Sequence, residues 1–137
     1  MQTEAFELLH PKVQQVVLDL GWSSLYPVQE ETLRQFAEHG SDLVVAAPTS
    51  GGKTEAVFLP VLSDLAARPP SKVTSVRMLC ISPLKALIND QFARLNKLCK
   101  PLGIAVHRWH GDVDADAKRR LRERPSGNSL QSESLNP

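Results

Sequence analysis

The stretch Leu43-Val44-Val45-Ala46-Ala47-Pro48-Thr49-Ser50-Gly51-Gly52-Lys53-Thr54 decides how the rest of this chain is read. Its first five residues form a short apolar, partly β-branched run, the pattern of a buried strand. A polar turn with two glycines follows. After it, Val57, Phe58, Val61, Leu62 and Leu65 recur on one side of a predicted helix, with Pro60 inside it. A strand, a glycine turn and a helix opening on Gly-Lys-Thr make the context in which a backbone cradles phosphate. Glycines let successive N–H groups converge, and the helix start adds its positive dipole end. Lys53 is placed to reach β- and γ-phosphates, and the Thr54 hydroxyl to ligate Mg²⁺. The candidate phosphate-binding residues are therefore Ala47, Pro48, Thr49, Ser50, Gly51, Gly52, Lys53 and Thr54. The same pattern also fits a glycine turn with no ligand. Two positions depart from the general pattern: Ala47 stands where Gly is usual, and Ser50-Gly51 where Gly-Ser is commoner.

Outward from this turn the elements alternate. Pro11 opens a predicted helix with Val13, Val16, Val17 and Leu20 at helical spacing, and Gly21 sits where a C-terminal cap belongs. Pro27 opens a second, with Val28, Leu33 and Phe36 inward and Gly40 at its end. Val76–Ile81 reads as a strand, and Leu84 to about Cys99 as a helix with Leu84, Leu87, Ile88, Phe92, Leu95 and Leu98 inward. Ile104–His107 reads as a third strand. Ala115–Arg124 reads as a polar helix, and residues 126–137 as a loose, disordered tail. Two helices followed by strand–helix repeats predict an α/β fold of parallel strands with flanking helices. The turns near residues 48–53, 82–85 and 108–112 are then expected on one rim of the sheet, where such folds bind ligands.

Composition narrows the class without choosing a function. The chain has 137 residues, room for one small domain, with 42% hydrophobic and 23% charged residues, close to a globular average. No apolar run approaches a membrane span. The first ten residues hold two glutamates and no Lys or Arg, unlike a secretory signal. Cys80 and Cys99 make neither a disulfide framework nor a metal motif. These features favour a reducing, cytoplasmic setting. The net charge of +1 hides an asymmetry: residues 1–46 carry a net −5 and residues 47–106 a net +5. The basic stretch suits an anionic partner or simply a solvated face.

Four segments together carry a family likeness. Gly21-Trp22-Ser23-Ser24-Leu25-Tyr26-Pro27-Val28-Gln29 looks like an upstream glutamine motif. Ala47–Thr54, continuing as Glu55-Ala56-Val57-Phe58-Leu59-Pro60, is similar to motif I. Ile81-Ser82-Pro83-Leu84-Lys85-Ala86-Leu87, then Asn89-Asp90-Gln91, is similar to motif Ia. His110-Gly111-Asp112 matches a later family turn. The chain thus resembles the first motor domain of superfamily 2 helicases of the DEAD/DEAH-box kind, with an Lhr-like cast, over residues 6–125. In that family motif I commonly begins with Ala, which accounts for Ala47. The resemblance implies an incomplete RecA-like P-loop domain over residues 1–125, with ATP and Mg²⁺ as cofactors and single-stranded DNA or RNA as partner. It implies catalytic Lys53, nucleotide contacts at Gln29 and residues 47–54, and nucleic-acid contacts at Ser82, Pro83, Leu84, Lys85 and Gly111.

The chemistry of each residue is compatible with these roles. The Gln29 amide has a donor and an acceptor for an adenine edge, though the residue also fits an exposed helix position. Lys85 fits a phosphate contact or plain solvation. Asp112 fits a helix cap. Arg108, Trp109 and His110 offer a cation, a stacking face and a donor, and Trp109 fits core packing equally. Lys118, Arg119, Arg120, Arg122 and Arg124 fit a solvated helix or a phosphate-attracting face.

Turnover needs a later carboxylate pair, a water-orienting group and a further cation. No Asp-Glu pair follows an apolar strand in this sequence, and Glu30-Glu31 lies upstream of the turn. Ser132-Glu133-Ser134-Leu135 only faintly resembles motif Ib. The expectation is therefore an N-terminal portion of a longer helicase, unable to hydrolyse ATP or unwind alone, with a partner chain as one source of missing strands. A non-enzymatic nucleic-acid or protein interaction module and a small-molecule P-loop kinase are the competing readings.

Overall fold

A computed structural model describes residues 3–38, 42–48, 50–68, 76–109, 119 and 129–134, without the side chains of Lys85 and of 129–134. The chain divides into two compact units, Met1–Arg68 and Pro69–Pro137.

The regular secondary structure described in the first unit is all helical. Helix α1 (Glu4–Glu7) is a single turn that periodicity does not announce. Thr3 caps it by accepting from the Phe6 N–H at 3.3 Å. Helix α2 (Pro11–Asp19) buries Val13, Val16 and Val17, as their spacing predicts. Leu20 becomes its exposed C-cap, and Gly21 follows at φ +76°. Helix α3 (Pro27–Glu38) buries Gln29, Thr32 and Leu33. Phe36, expected inward, is 42% exposed. Helix α4 (Lys53–Ala67) buries Ala56, Phe58, Leu59, Leu62 and Leu65, so its apolar face lies one residue round from the one predicted, and Val57 is exposed. The His10 N–H donates to Ser63 Oγ at 2.6 Å, tying the start of α2 to α4. Three helices therefore precede the glycine turn, where two were expected.

The expected strand Leu43–Ala47 is absent. The segment has no regular secondary structure, and Leu43 and Val44 are 44% and 92% exposed. An apolar run becomes a strand only when a neighbour supplies the ladder, and no described strand pairs with this one.

Among the described residues the second unit holds a three-stranded parallel sheet with a helix packed on it. Its strands are β1 (Val76–Ser82), β2 (Ala105–Trp109) and β3 (Ser129–Ser134), in the order β1-β3-β2. Strand β3 corrects the reading of a loose tail: Cys80 pairs with Ser132 on one side, and Arg108 with Ser132 on the other. The ladder, not side-chain hydrophobicity, recruits this polar segment. Helix α5 (Lys85–Cys99) buries Ile88, Leu95, Leu98 and Cys99, while Leu84 and Leu87 are exposed. A 3₁₀ turn at Lys100–Leu102 and Gly103, at φ +69°, lead to buried Ile104 and then β2, two residues later than predicted at its far end. The predicted helix at 115–124 lies outside the described residues except Arg119, which is helical and exposed. Among the described residues no helix is long and apolar enough to cross a membrane.

Leu62 is fully buried in the first unit. Leu62→Ala is expected to lower unfolding free energy by about 2–5 kcal/mol, read from the urea midpoint by circular dichroism. An unchanged midpoint would contradict this packing. In the second unit, burial pushes the Cys99 thiol from 9.0 up to about 12 and raises the Cys80 thiol as well. A thiol-reactive probe at pH 8 should label both more slowly in the native chain than in urea, with Cys99 last. Because the folded value is the higher one, this contribution to stability is complete below pH 9 and falls as pH rises toward about 12.

Candidate nucleotide and nucleic-acid sites

The glycine turn is built from both ends. Gly52 is the N-cap residue of α4 and lies in the left-handed region at φ +75° and ψ +20°. Its carbonyl accepts from the Ala56 N–H at 2.9 Å, the first bond of the helix. No side chain caps this helix start, so the N–H groups of its first turn are left for solvent or a ligand. Upstream, the Gly51 N–H donates to the Pro48 carbonyl at 3.0 Å. Ser50 is also left-handed, at φ +67°, which is the physical meaning of Ser standing where Gly is commoner. The Lys53 ammonium folds back over the turn and donates to the Ala47 carbonyl and, at 2.8 Å, to that of Pro48. Thr54 is half-buried on the first turn of α4. Thr49 lies outside the described residues.

The space behind the turn is closed. A Cβ added at Gly52 would lie 2.6 Å from Gln29 Nε2 and 2.8 Å from Tyr26 Cδ2, and one at Gly51 would lie 3.0 Å from the Pro48 oxygen. Gln29 is 2% exposed, so it is not the exposed helix residue that its type alone allows. Its Oε1 accepts from the Tyr26 N–H at 2.9 Å and its Nε2 donates to the Gly52 carbonyl at 3.3 Å. Tyr26 caps α3, because its carbonyl accepts from the Gln29 and Glu30 N–H groups. Gln29 is thus the N3 residue of half a capping box. The sequence signal for this was available: Pro27 at N1 with Gln two residues later. Tyr26 is the neighbour of the site that sequence reasoning left out.

The motif Ia turn belongs to the second unit. Ser82 ends β1 at 2% exposure, and its Oγ has no hydrogen-bond partner among the described residues. Pro83 and Leu84 are exposed, and Leu84 precedes α5 without providing a side-chain cap. Lys85 opens α5. Gly111, with His110 and Asp112, lies outside the described residues. Arg108 is not a free cation. Its guanidinium stacks 4.6 Å from the Phe92 ring centroid, and its Nη1 donates to Asn89 Oδ1 at 2.7 Å, both on α5. Among the described residues no group of three His, Cys, Asp or Glu could hold a metal ion. A cavity of about 380 Å³ lies between the α1–α2 turn, α3 and α4, lined by Leu8, Phe36, Pro60 and Asp64 among others. None of the predicted site residues lines it.

The DEAD/DEAH box helicase family model matches residues 26–130. The chain belongs to that family. The match runs from Tyr26 beside the glycine turn to Leu130 in β3, so it covers both units. The chain is 39% identical over 79 residues to Druantia protein DruE of Escherichia coli (strain UMEA 4076-1), covering 53% of this chain and 4% of that protein. It is 32% identical over 102 residues to the probable ATP-dependent RNA helicase DDX52 of Rattus norvegicus, covering 74% of this chain and 16% of that one. The chain therefore spans a small part of the length of these relatives. Its fold is shared with Mycobacterium smegmatis helicase Lhr, solved bound to ssDNA and AMP-PNP. The TM-score is 0.76 at 22% identity, over 95% of this chain and 18% of that one. The architecture of this family member is thus a RecA-like α/β domain, represented here by few strands.

Proposed function

We propose that this chain is a helicase-family element that binds ATP at the turn 47–54 and a single nucleic-acid strand at the turn 82–85, without hydrolysing ATP by itself. The observation that carries the reading is the turn around Gly52: a left-handed glycine, packed from behind, opens an uncapped helix with Lys53 beside it. The site fits a polyphosphate. First-turn N–H groups face the bound anion, and Lys53 exchanges the Ala47 and Pro48 carbonyls for phosphate oxygens. Gln29 has a second Nε2 hydrogen and a second Oε1 lone pair, which suit an adenine edge. Mg²⁺, when bound with the nucleotide, neutralises phosphate charge. Thr54 is the residue that would hold it through its hydroxyl.

The nucleic-acid part rests on Ser82. A buried hydroxyl with no partner among the described residues, beside an uncapped helix start, suits a phosphate oxygen of the strand backbone. The second unit carries 12 basic and 6 acidic residues, a field that favours the same partner. Lhr, whose fold is shared, was solved with both ssDNA and AMP-PNP, which agrees with a paired reading.

Lys53→Ala is expected to weaken binding of a fluorescent ATP analogue at least about tenfold, or 1.4 kcal/mol. Equal affinity in the variant would mean that the turn is not the nucleotide site. For the strand, one or two phosphate contacts predict a slope of log affinity against log salt between about −0.7 and −1.4. Fluorescence anisotropy with a labelled single strand measures this slope, and salt-independent binding would rule out a phosphate contact.

A further inference from the structure

Helices α3 and α4 are joined by one buried amide, and its orientation is dictated by chemistry. With Oε1 toward the Tyr26 N–H and Nε2 toward the Gly52 carbonyl, both ends of the Gln29 side chain are satisfied. Turned over, the amide would set N–H against N–H and oxygen against oxygen. The Gly52 carbonyl therefore takes two donors, the Ala56 N–H that begins α4 and the Gln29 amide that ends a reach of 23 residues along the chain. The Tyr26 ring borders the same space, so a side chain at residue 52 would strike both neighbours.

We infer that Gln29 is a positioning residue for the phosphate turn, acting through the Gly52 carbonyl independently of any nucleobase. The inference rests on the nucleotide reading above and deepens it. The direction of the first-turn N–H groups of α4 follows from the peptide planes around Gly52, and Gln29 holds one of those planes. A base engaged by Gln29 uses the remaining hydrogen and lone pair of the same amide. Base recognition and phosphate geometry are thereby linked through one side chain, and the phosphate arm of that link persists without a base.

A ligand with no base separates the two roles. Isothermal titration calorimetry of the full chain is run with Mg-ATP and with Mg-tripolyphosphate on wild type, Gln29→Ala and Gln29→Glu. Both variants are expected to weaken tripolyphosphate and ATP alike, by roughly three- to tenfold each, the range for one lost hydrogen bond. Gln29→Glu still accepts from the Tyr26 N–H, as Glu does at N3 of a capping box, so its melting temperature should be maintained while binding falls. Gln29→Ala adds no charge, so a loss shared by both variants is not repulsion of phosphate. A loss confined to ATP, or no loss with either ligand, overturns the inference and leaves the nucleotide site standing. Failure of wild type to bind either ligand overturns the nucleotide reading itself, and the inference with it. A double-mutant cycle with Gly52→Ala gives a second readout. The added methyl meets the amide in wild type and loses that neighbour in Gln29→Ala, so its penalty on tripolyphosphate binding should shrink in that background. An unchanged penalty overturns the contact as the route of action.

Discussion

The backbone at Gly52 is the constraint on which the first unit turns. The chain must leave an irregular apolar segment and enter α4 within a few residues, and it does so through a left-handed residue. An L side chain is strained in that conformation, and here it would also strike the Gln29 amide and the Tyr26 ring. Two independent penalties thus fall on the same Cβ. In return, the first turn of α4 is presented without a side-chain cap, with Lys53 folded over the carbonyls of Ala47 and Pro48.

Electrostatics divide the chain in a way the near-neutral total conceals. The first unit holds 4 basic and 9 acidic residues, the second 12 and 6. A polyanion approaching the glycine turn gains nothing from the net charge around it. On the proposed reading, what holds it would be local: converging N–H dipoles and one ammonium. The second unit works the other way. Its overall field favours an anionic partner, and on the proposed reading Ser82 and the start of α5 would supply the local contact. If both sites bind as proposed, one built on geometry and one built on field would differ in salt response.

Two segments show opposite failures of hydrophobic pattern as a guide to strands. Leu43–Ala47 has the composition of a buried strand yet lies exposed and unpaired among the described residues. Ser129–Ser134, with three serines, a glutamine and a glutamate, occupies the middle of a parallel sheet, where apolar residues are the rule. A strand is a property of a pair of backbones. Side-chain pattern misses it in both places: the apolar segment lacks a described partner strand and the polar one has two.

Much of the framework was legible in the residues alone. Val13, Val16 and Val17, then Ile88, Leu95 and Leu98, mark buried faces by helical spacing, and Gly21 marks a helix end. Gly-Lys-Thr after a polar turn placed the start of α4 within one residue, at Lys53 rather than after it. These features are local: they depend on neighbours three or four positions away and on the φ that glycine alone adopts freely. The tertiary structure decided the rest. It took Gln29 from a surface position to a buried link between two helices, held Arg108 against Phe92, exposed Phe36, and placed β3 between β1 and β2. Each of those outcomes depends on a partner distant in the sequence, and no window of neighbouring residues contains the partner that satisfies the amide, the cation or the ladder.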